Sequence, residues 1–170
     1  MTQPILRTEH ASDRASVFAV HRAAFETDAE ARLVDTLRAS ASPTLSLVAE
    51  AGGSVEGHIF FSPVTHAEHP ELRLMGLGPM AVQPRTQRKG LGSLLVRRGL
   101  ETLREQGLDA AVVLGHPEYY PRFGFEPASR WGVRSVYEVP DEAFMALELR
   151  PGSLSGKAGL VTYHPAFSEV

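Results

Sequence analysis

The spacing of apolar residues switches between helical and extended periods along the chain, and each switch predicts an element. An extended opening, QPILRTE, gives way to Val17, Phe18, His21, Ala24 and Phe25, which fall on one helical face. Ser12 or Asp13, just before that run, offers a short side-chain oxygen to the free amides of a first turn. A second helix is predicted near Asp28 to Ser40, with Leu33, Val34 and Leu37 inward. LSLVAE and VEGHIFFSPV then read as strands, and the Gly-Gly in the AGGS between them predicts a hairpin. LRLMGLGPMAVQP is the third extended stretch, ended by Pro84.

The plainest element runs from Gly90 to about Gln106. Leu91, Leu94, Leu95, Leu100 and Leu103 line one face of it, and Arg97, Arg98, Glu101, Arg104 and Glu105 line the other. Gly107 stands where a left-handed residue usually ends a helix. DAAVVLG follows, wholly apolar, as a strand covered on both faces. From Arg130 on, loops mix with strands at FMALELR and GLVTYH. Helices, an antiparallel hairpin, then strand, helix and strand predict an α/β or α+β domain with a central crossover helix.

Composition narrows the classes without changing this picture. The 170 residues, 43% hydrophobic and 22% charged, suit a single globular domain over residues 1–170. A net charge of -3 argues against a general nucleic-acid binder. With no cysteine, disulfides, thiolate metal sites and a cysteine nucleophile are all excluded. No apolar run is long enough to span a membrane and the first residues lack a signal-peptide core, so a soluble, cytoplasmic protein is expected.

Chemistry concentrates at QRKGLG, between the third strand and the long helix. Amides at a helix start point outward without partners, and the helix dipole adds positive character there. Glycine lets the backbone approach a phosphate closely, and Arg85, Arg88 and Lys89 add cations. Spacing alone leaves a phosphate loop and a plain turn with solvated charges equally open. Two nucleotide motifs do fail. Lys89 precedes Gly90, which is the wrong order for a P-loop, and Leu95 stands where a dinucleotide fingerprint needs a small residue. GLGPMA fits that fingerprint loosely but leads into a strand.

PMAVQPRTQRKGLGSLLVRRGL resembles the acyl-CoA motif of the GNAT superfamily of N-acetyltransferases, in which Gln or Arg is followed by two residues, Gly, one residue, and Gly or Ala. Gln87, Gly90 and Gly92 satisfy it. VVLGHPEYYPRFGFEP is similar to a second family signature, a Tyr five residues before the Phe of a Gly-Phe pair, here Tyr120 and Gly124-Phe125. With HIFFSPV upstream and FMALELRPGSLSG and YHPAF downstream, the chain resembles the YhbS-like branch from its first helix to its C-terminus. Two departures stand out: Arg88 where the family often has Gly, and His116 where relatives carry an acidic residue.

The resemblance implies a GNAT-like mixed, mostly antiparallel central sheet flanked by helices, with a strand-loop-helix acyl-CoA motif. It implies acetyl-CoA as donor, held by Gln87, Arg88, Lys89, Gly90, Leu91, Gly92 and Ser93, with the pantetheine arm along Met80, Ala81 and Val82. The strands on either side of the central helix are expected to part around the thioester. Acetyl transfer to a primary amine, by direct attack in a ternary complex, is the implied reaction; the acceptor is a small molecule or a protein amine. That amine must first lose a proton. The developing oxyanion needs a main-chain donor, and the leaving thiolate needs a proton that Tyr120 can supply. For the base, His116 is the candidate, beside Glu118 and a water relay. The alternative is a catalytically silent acyl-CoA-binding sensor or interaction module. A homodimer through sheet edges is common in the family and is carried as an expectation.

Other constellations predict less. His66, Glu68 and His69, with His58 upstream, lack a shared helical face and precede Pro70, so a solvated loop is expected rather than a metal site, and no metal is predicted anywhere. No Gly-x-Ser-x-Gly elbow occurs. Tyr119, Phe123 and Phe125 are expected to pack around Tyr120, and Trp131 either borders an acceptor pocket or packs in the core.

Overall fold

A computed structural model describes residues 3–169. Strands β1 (Ile5–Thr8), β2 (Leu45–Ala51), β3 (Ser54–His66), β4 (Leu74–Val82), β5 (Ala110–Leu114), β6 (Glu126–Pro127), β7 (Val133–Ser135), β8 (Phe144–Glu148) and β9 (Gly159–Thr162) are interleaved with helices α1 (Arg14–Ala24), α2 (Ala29–Ser40) and α3 (Leu91–Glu105). The sheet order is β1-β2-β3-β4-β5-β8-β6, with β9 beside β3 and β7. Parallel pairing joins β4 to β5 and β7 to β9, while β1–β2, β2–β3, β3–β9, β5–β8 and β6–β8 are antiparallel. The fold is thus the expected mixed, mostly antiparallel sheet with flanking helices. Among the described residues no helix is long and apolar enough to cross a membrane.

The chain falls into two compact units. The first ends at Ser62 and adds Gly78–Gly99 and the segment from Pro165 on; the second comprises Pro63–Leu77 and Leu100–His164. In the first, Val17 and Val20 of α1, Leu33, Val34 and Leu37 of α2, Val48, Val55, Phe60 and Ala81 of the strands, and Ala166 form one buried cluster. Buried apolar area supplies most of its stabilisation, about 25 cal/mol per Å². In the second, Ala110 to Val113 are at most 1% exposed, as a strand covered on both faces requires. Asp109 anchors the chain after β8: its carboxylate accepts from Arg73 N and Arg150 Nε, and its carbonyl accepts from Ser153 Oγ, each at 2.8 Å.

Several details depart from the periodicity. Asp13 does occupy the N-cap position of α1, but its carboxylate caps no helix amide. It accepts instead from Arg7 Nη1 and from His10 N, both at 2.7 Å. Val20 completes the buried stripe of α1, where Phe18 is only half-buried. Leu94, assigned to the inner face of α3, is 41% exposed, and Val96 is buried instead. β3 continues through His66, which is buried, so THAEHP does not begin as a solvated loop. His66 Nε2 donates to the Lys157 carbonyl at 2.6 Å, and Nδ1 accepts amides of Glu68 and His69 at 3.2 Å. That histidine is a structural hydrogen-bonding hub. Among the described residues no group of three or more His, Cys, Asp or Glu side chains is placed to hold a metal ion.

Candidate active site

In the first unit, β4 leads through Gln83, a 3-10 turn at Pro84–Thr86 and Gln87 into α3. The Thr86 amide and hydroxyl both donate to the Gln83 carbonyl, at 2.9 and 3.0 Å. The Gln87 side-chain amide reaches back to the Val82 carbonyl at 3.0 Å. Gln87 therefore acts as a staple that fixes the loop against the end of β4. Arg88 (φ 65°) and Gly90 (φ 83°) both take left-handed backbone conformations. For Gly90 this carries little steric cost; for Arg88 it costs about 1 kcal/mol.

The Gly90 carbonyl accepts from Leu94 N at 3.1 Å, the first bond of α3. The amides of Leu91 and Gly92 lie in the first turn, where no intrahelical acceptor is available. Nothing lies within 4 Å of where a Gly90 Cβ would stand, so the space in front of this turn is open. Arg88 and Lys89 are exposed, and neither forms an ion pair among the described residues.

Arg85, one of three cations near the loop that could reach a phosphate, is engaged elsewhere. Its Nε donates to Glu56 Oε1 at 3.0 Å and its Nη2 to Oε2 at 2.5 Å. Glu56 is a buried residue of β3, and Ser54 Oγ adds a bond to Oε2 at 2.9 Å. The hydrogen-bonded Arg85 guanidinium holds the Glu56 carboxyl below its usual range. The Gln83 amide also donates to the Glu56 carbonyl at 2.8 Å. Glu56 thus ties the loop to β3 by side chain and main chain together, a role that sequence reading missed because the partners lie 29 residues apart. On β4 itself Ala81 is buried, while Met80 and Val82 are half-buried.

Tyr120 lies in the second unit, at the start of a 3-10 turn, Tyr120–Phe123, that closes on Gly124 at φ 100°. Its amide and that of Tyr119 both donate to the His116 carbonyl, at 3.4 and 3.1 Å. The ring packs closely against Gly115: a Cβ there would stand 2.4 Å from Tyr120 Cε2, so only glycine admits this approach. Tyr119 and Phe125 meet the ring edge-on, with centroids 5.1 and 5.8 Å away. Burial, reinforced by Tyr119, pushes the Tyr120 hydroxyl up to about 12, so it is protonated at neutral pH. His116 and Glu118 are exposed.

The aromatic surroundings follow expectation in part. Phe125 is core, Phe123 is half-buried, and Tyr119 carries the Arg122 guanidinium 4.5 Å above its ring. Trp131 is half-buried with Arg130 over it, and it does not line the pocket nearby that Val133 and Phe144 floor.

The family description "Acetyltransferase (GNAT) domain" matches residues 6–128. The chain belongs to this acetyltransferase family. It is 39% identical over 165 residues to the uncharacterized N-acetyltransferase YhbS of Escherichia coli K12, covering 96% of this chain and 98% of that protein. It is 40% identical over 154 residues to the uncharacterized N-acetyltransferase YjhQ of the same strain, covering 85% of each. Its fold is similar to the crystal structure of E. coli YhbS in complex with CoA, with a TM-score of 0.93 and 37% identity, covering 99% of this chain and 93% of that one. A GNAT acetyltransferase from Brucella melitensis in complex with acetyl-CoA gives a TM-score of 0.81 at 37% identity, covering 98% and 99%. The YhbS likeness made from QRKGLG and YYPRFGF therefore holds along nearly the whole chain.

Proposed function

We propose that this protein is an acetyl-CoA-dependent N-acetyltransferase, one GNAT-like domain over residues 1–170, which moves an acetyl group to a primary amine by direct attack in a ternary complex. The likeness to the CoA-bound YhbS structure over 99% of the chain carries the donor assignment. Support within the molecule is the open turn at the head of α3, with outward Leu91 and Gly92 amides and the exposed cations of Arg88 and Lys89 beside it. These groups, with Gln87, Gly90 and Ser93, receive the pyrophosphate of acetyl-CoA, and the backbone of Met80, Ala81 and Val82 receives its amide-bearing arm.

In the reaction, the deprotonated amine nitrogen bonds to the thioester carbonyl carbon and the carbon–sulfur bond breaks. A main-chain amide of Met80–Val82 stabilises the oxyanion that forms on the way. Tyr120 gives its hydroxyl proton to the departing thiolate. With its pKa raised by burial, that hydroxyl is protonated at neutral pH and so carries the proton to give. His116, exposed four residues before Tyr120, takes the amine's proton directly or through water.

The test is release of free CoA thiol from acetyl-CoA across a panel of small amines and lysine-containing peptides. Thiol release that requires an added amine supports the transferase. Saturable acetyl-CoA binding with no amine-dependent release would instead identify an acyl-CoA-binding sensor.

A further inference from the structure

The second unit contains a pocket of about 240 Å³ between the turn after β6 and the segment that leads into β8. Its floor is apolar: Val133 and Phe144 are 3% and 4% exposed, and the Tyr137 ring joins them. Its rim is acidic. Glu138 and Asp141 line it against a single cation, Arg134, and neither carboxylate forms an ion pair among the described residues. Asp141 Oδ2 accepts from Ser129 Oγ at 2.9 Å, which fixes that carboxylate at the mouth. Two of the large apolar side chains left exposed on this protein, Val136 and Val139, stand on the same segment.

This pocket is linked to the chemistry through Tyr120. Gly115, on which the Tyr120 ring rests, donates its amide to the Ala143 carbonyl at 3.0 Å. The next residue, Phe144, forms the pocket floor and pairs with Leu114 of β5. On the other wall, Tyr137 stacks at 6.1 Å on Tyr163. The backbone beside the pocket residue Phe144 is thus hydrogen-bonded to the residue that seats Tyr120.

Charge and size together select the ligand. Two carboxylates against one guanidinium favour a cation, and an apolar floor favours one with a hydrocarbon body. At about 240 Å³ the space falls below the roughly 300–1,000 Å³ of sites that hold drug-sized ligands, so the occupant is small. The chemistry adds a further condition. Carboxylates beside an ammonium raise its pKa and hold its proton, whereas the reacting nitrogen must give its proton up. The nitrogen at Glu138 and Asp141 is therefore not the one that is acetylated.

Building on the N-acetyltransferase reading, we propose that this pocket binds the distal ammonium of a small diamine acceptor, with the methylene chain over Val133, Tyr137 and Phe144 and the second nitrogen free to react. The probes are cadaverine and n-pentylamine, which differ only in the distal ammonium. For the wild type, kcat/KM for cadaverine exceeds that for n-pentylamine by at least about tenfold, equivalent to roughly 1.4 kcal/mol. In the Glu138→Gln/Asp141→Asn double variant the ratio collapses toward one, mainly through KM for cadaverine. Both side chains are exposed, so the substitutions spare the core, and acetyl-CoA titration of the same preparation verifies the fold.

A second readout does not depend on turnover. Cadaverine added to the CoA-bound protein shifts the amide resonances of Val133, Tyr137 and Phe144 in the wild type and not in the double variant. A ratio near one in the wild type, or one that survives the double substitution, overturns the pocket assignment while leaving the transferase intact. Shifts at these amides without acetylation of any amine would keep the pocket and overturn the transferase.

Discussion

His21 Nε2 of α1 lies 2.8 Å from His58 Nδ1 of β3, and neither residue has any exposed surface. The chain of contacts continues from His58 Nε2 to Ser46 Oγ at 2.7 Å, from Ser46 Oγ to Glu9 Oε1 at 2.7 Å, and from Arg38 Nη2 to Glu9 Oε2 at 2.6 Å. Phe25 stacks on His21, and Phe60 lies beside His58. Burial, with Arg38 adding to it, lowers the His21 pKa from 6.5 to about 4. Burial, then His21 and Arg38, takes His58 well below 6.5.

A pH dependence of stability follows from this pair. Between about pH 6.5 and 4 the unfolded chain protonates both imidazoles and the folded chain does not, so the folded state loses stability as pH falls through that window. His21 alone accounts for about 3 kcal/mol over the full window. Urea denaturation at stepped pH measures this slope, and His21→Gln should lower it by about one proton. A variant with the wild-type slope would show that the pair does not carry the effect.

Replacing Gly115 with Ala drives a methyl group into the Tyr120 ring, 2.4 Å from Cε2. Turnover should drop by more than about tenfold, with acetyl-CoA affinity unchanged, because the damage reaches the residue proposed as proton donor and spares the loop proposed to hold the phosphates. Tyr120→Phe should slow turnover by about a hundredfold, the scale of a lost general acid. Unchanged turnover in Tyr120→Phe removes that residue from the mechanism.

Glu56→Ala releases Arg85 and removes one anchor of the loop at Gln83–Gln87. The expected signature is a severalfold rise in KM for acetyl-CoA with kcat held. An equal fall in kcat at constant KM would place Glu56 in the chemical step instead.

Arg88 carries a side chain in a left-handed conformation that glycine adopts freely. Arg88→Gly should hold or slightly raise the melting temperature, with the relieved strain of about 1 kcal/mol partly offset by the freer unfolded chain. Acetyl-CoA affinity should fall severalfold with the lost guanidinium. A marked drop in melting temperature would contradict the strain.

Much of this architecture is legible in the residues: α3 repeats its helical period, a Gly-Gly turn marks the β2–β3 hairpin, and β5 is an unbroken apolar run. β6 and β7, with two and three residues, are too short to show an alternation and went unseen. Leu94 fits the apolar stripe yet faces out, since a stripe drawn from spacing does not report how wide a neighbouring surface is. Gln87, Gly90 and Tyr120 stand out as candidates in the sequence because their motifs keep fixed local spacing. Glu56, the His21–His58 pair and the pocket at Val133–Phe144 do not, because each joins residues that only the folded chain brings together.

The most direct test is calorimetric titration of the purified protein with acetyl-CoA, beside a Gly90→Glu variant whose fold is verified by circular dichroism. Saturable one-site binding is expected for the wild type and none for the variant, whose carboxylate would occupy the open space before α3 and repel phosphate. A folded wild type that shows no saturable binding would make the QRKGLG loop an ordinary helix-start turn and contradict the acetyl-CoA assignment.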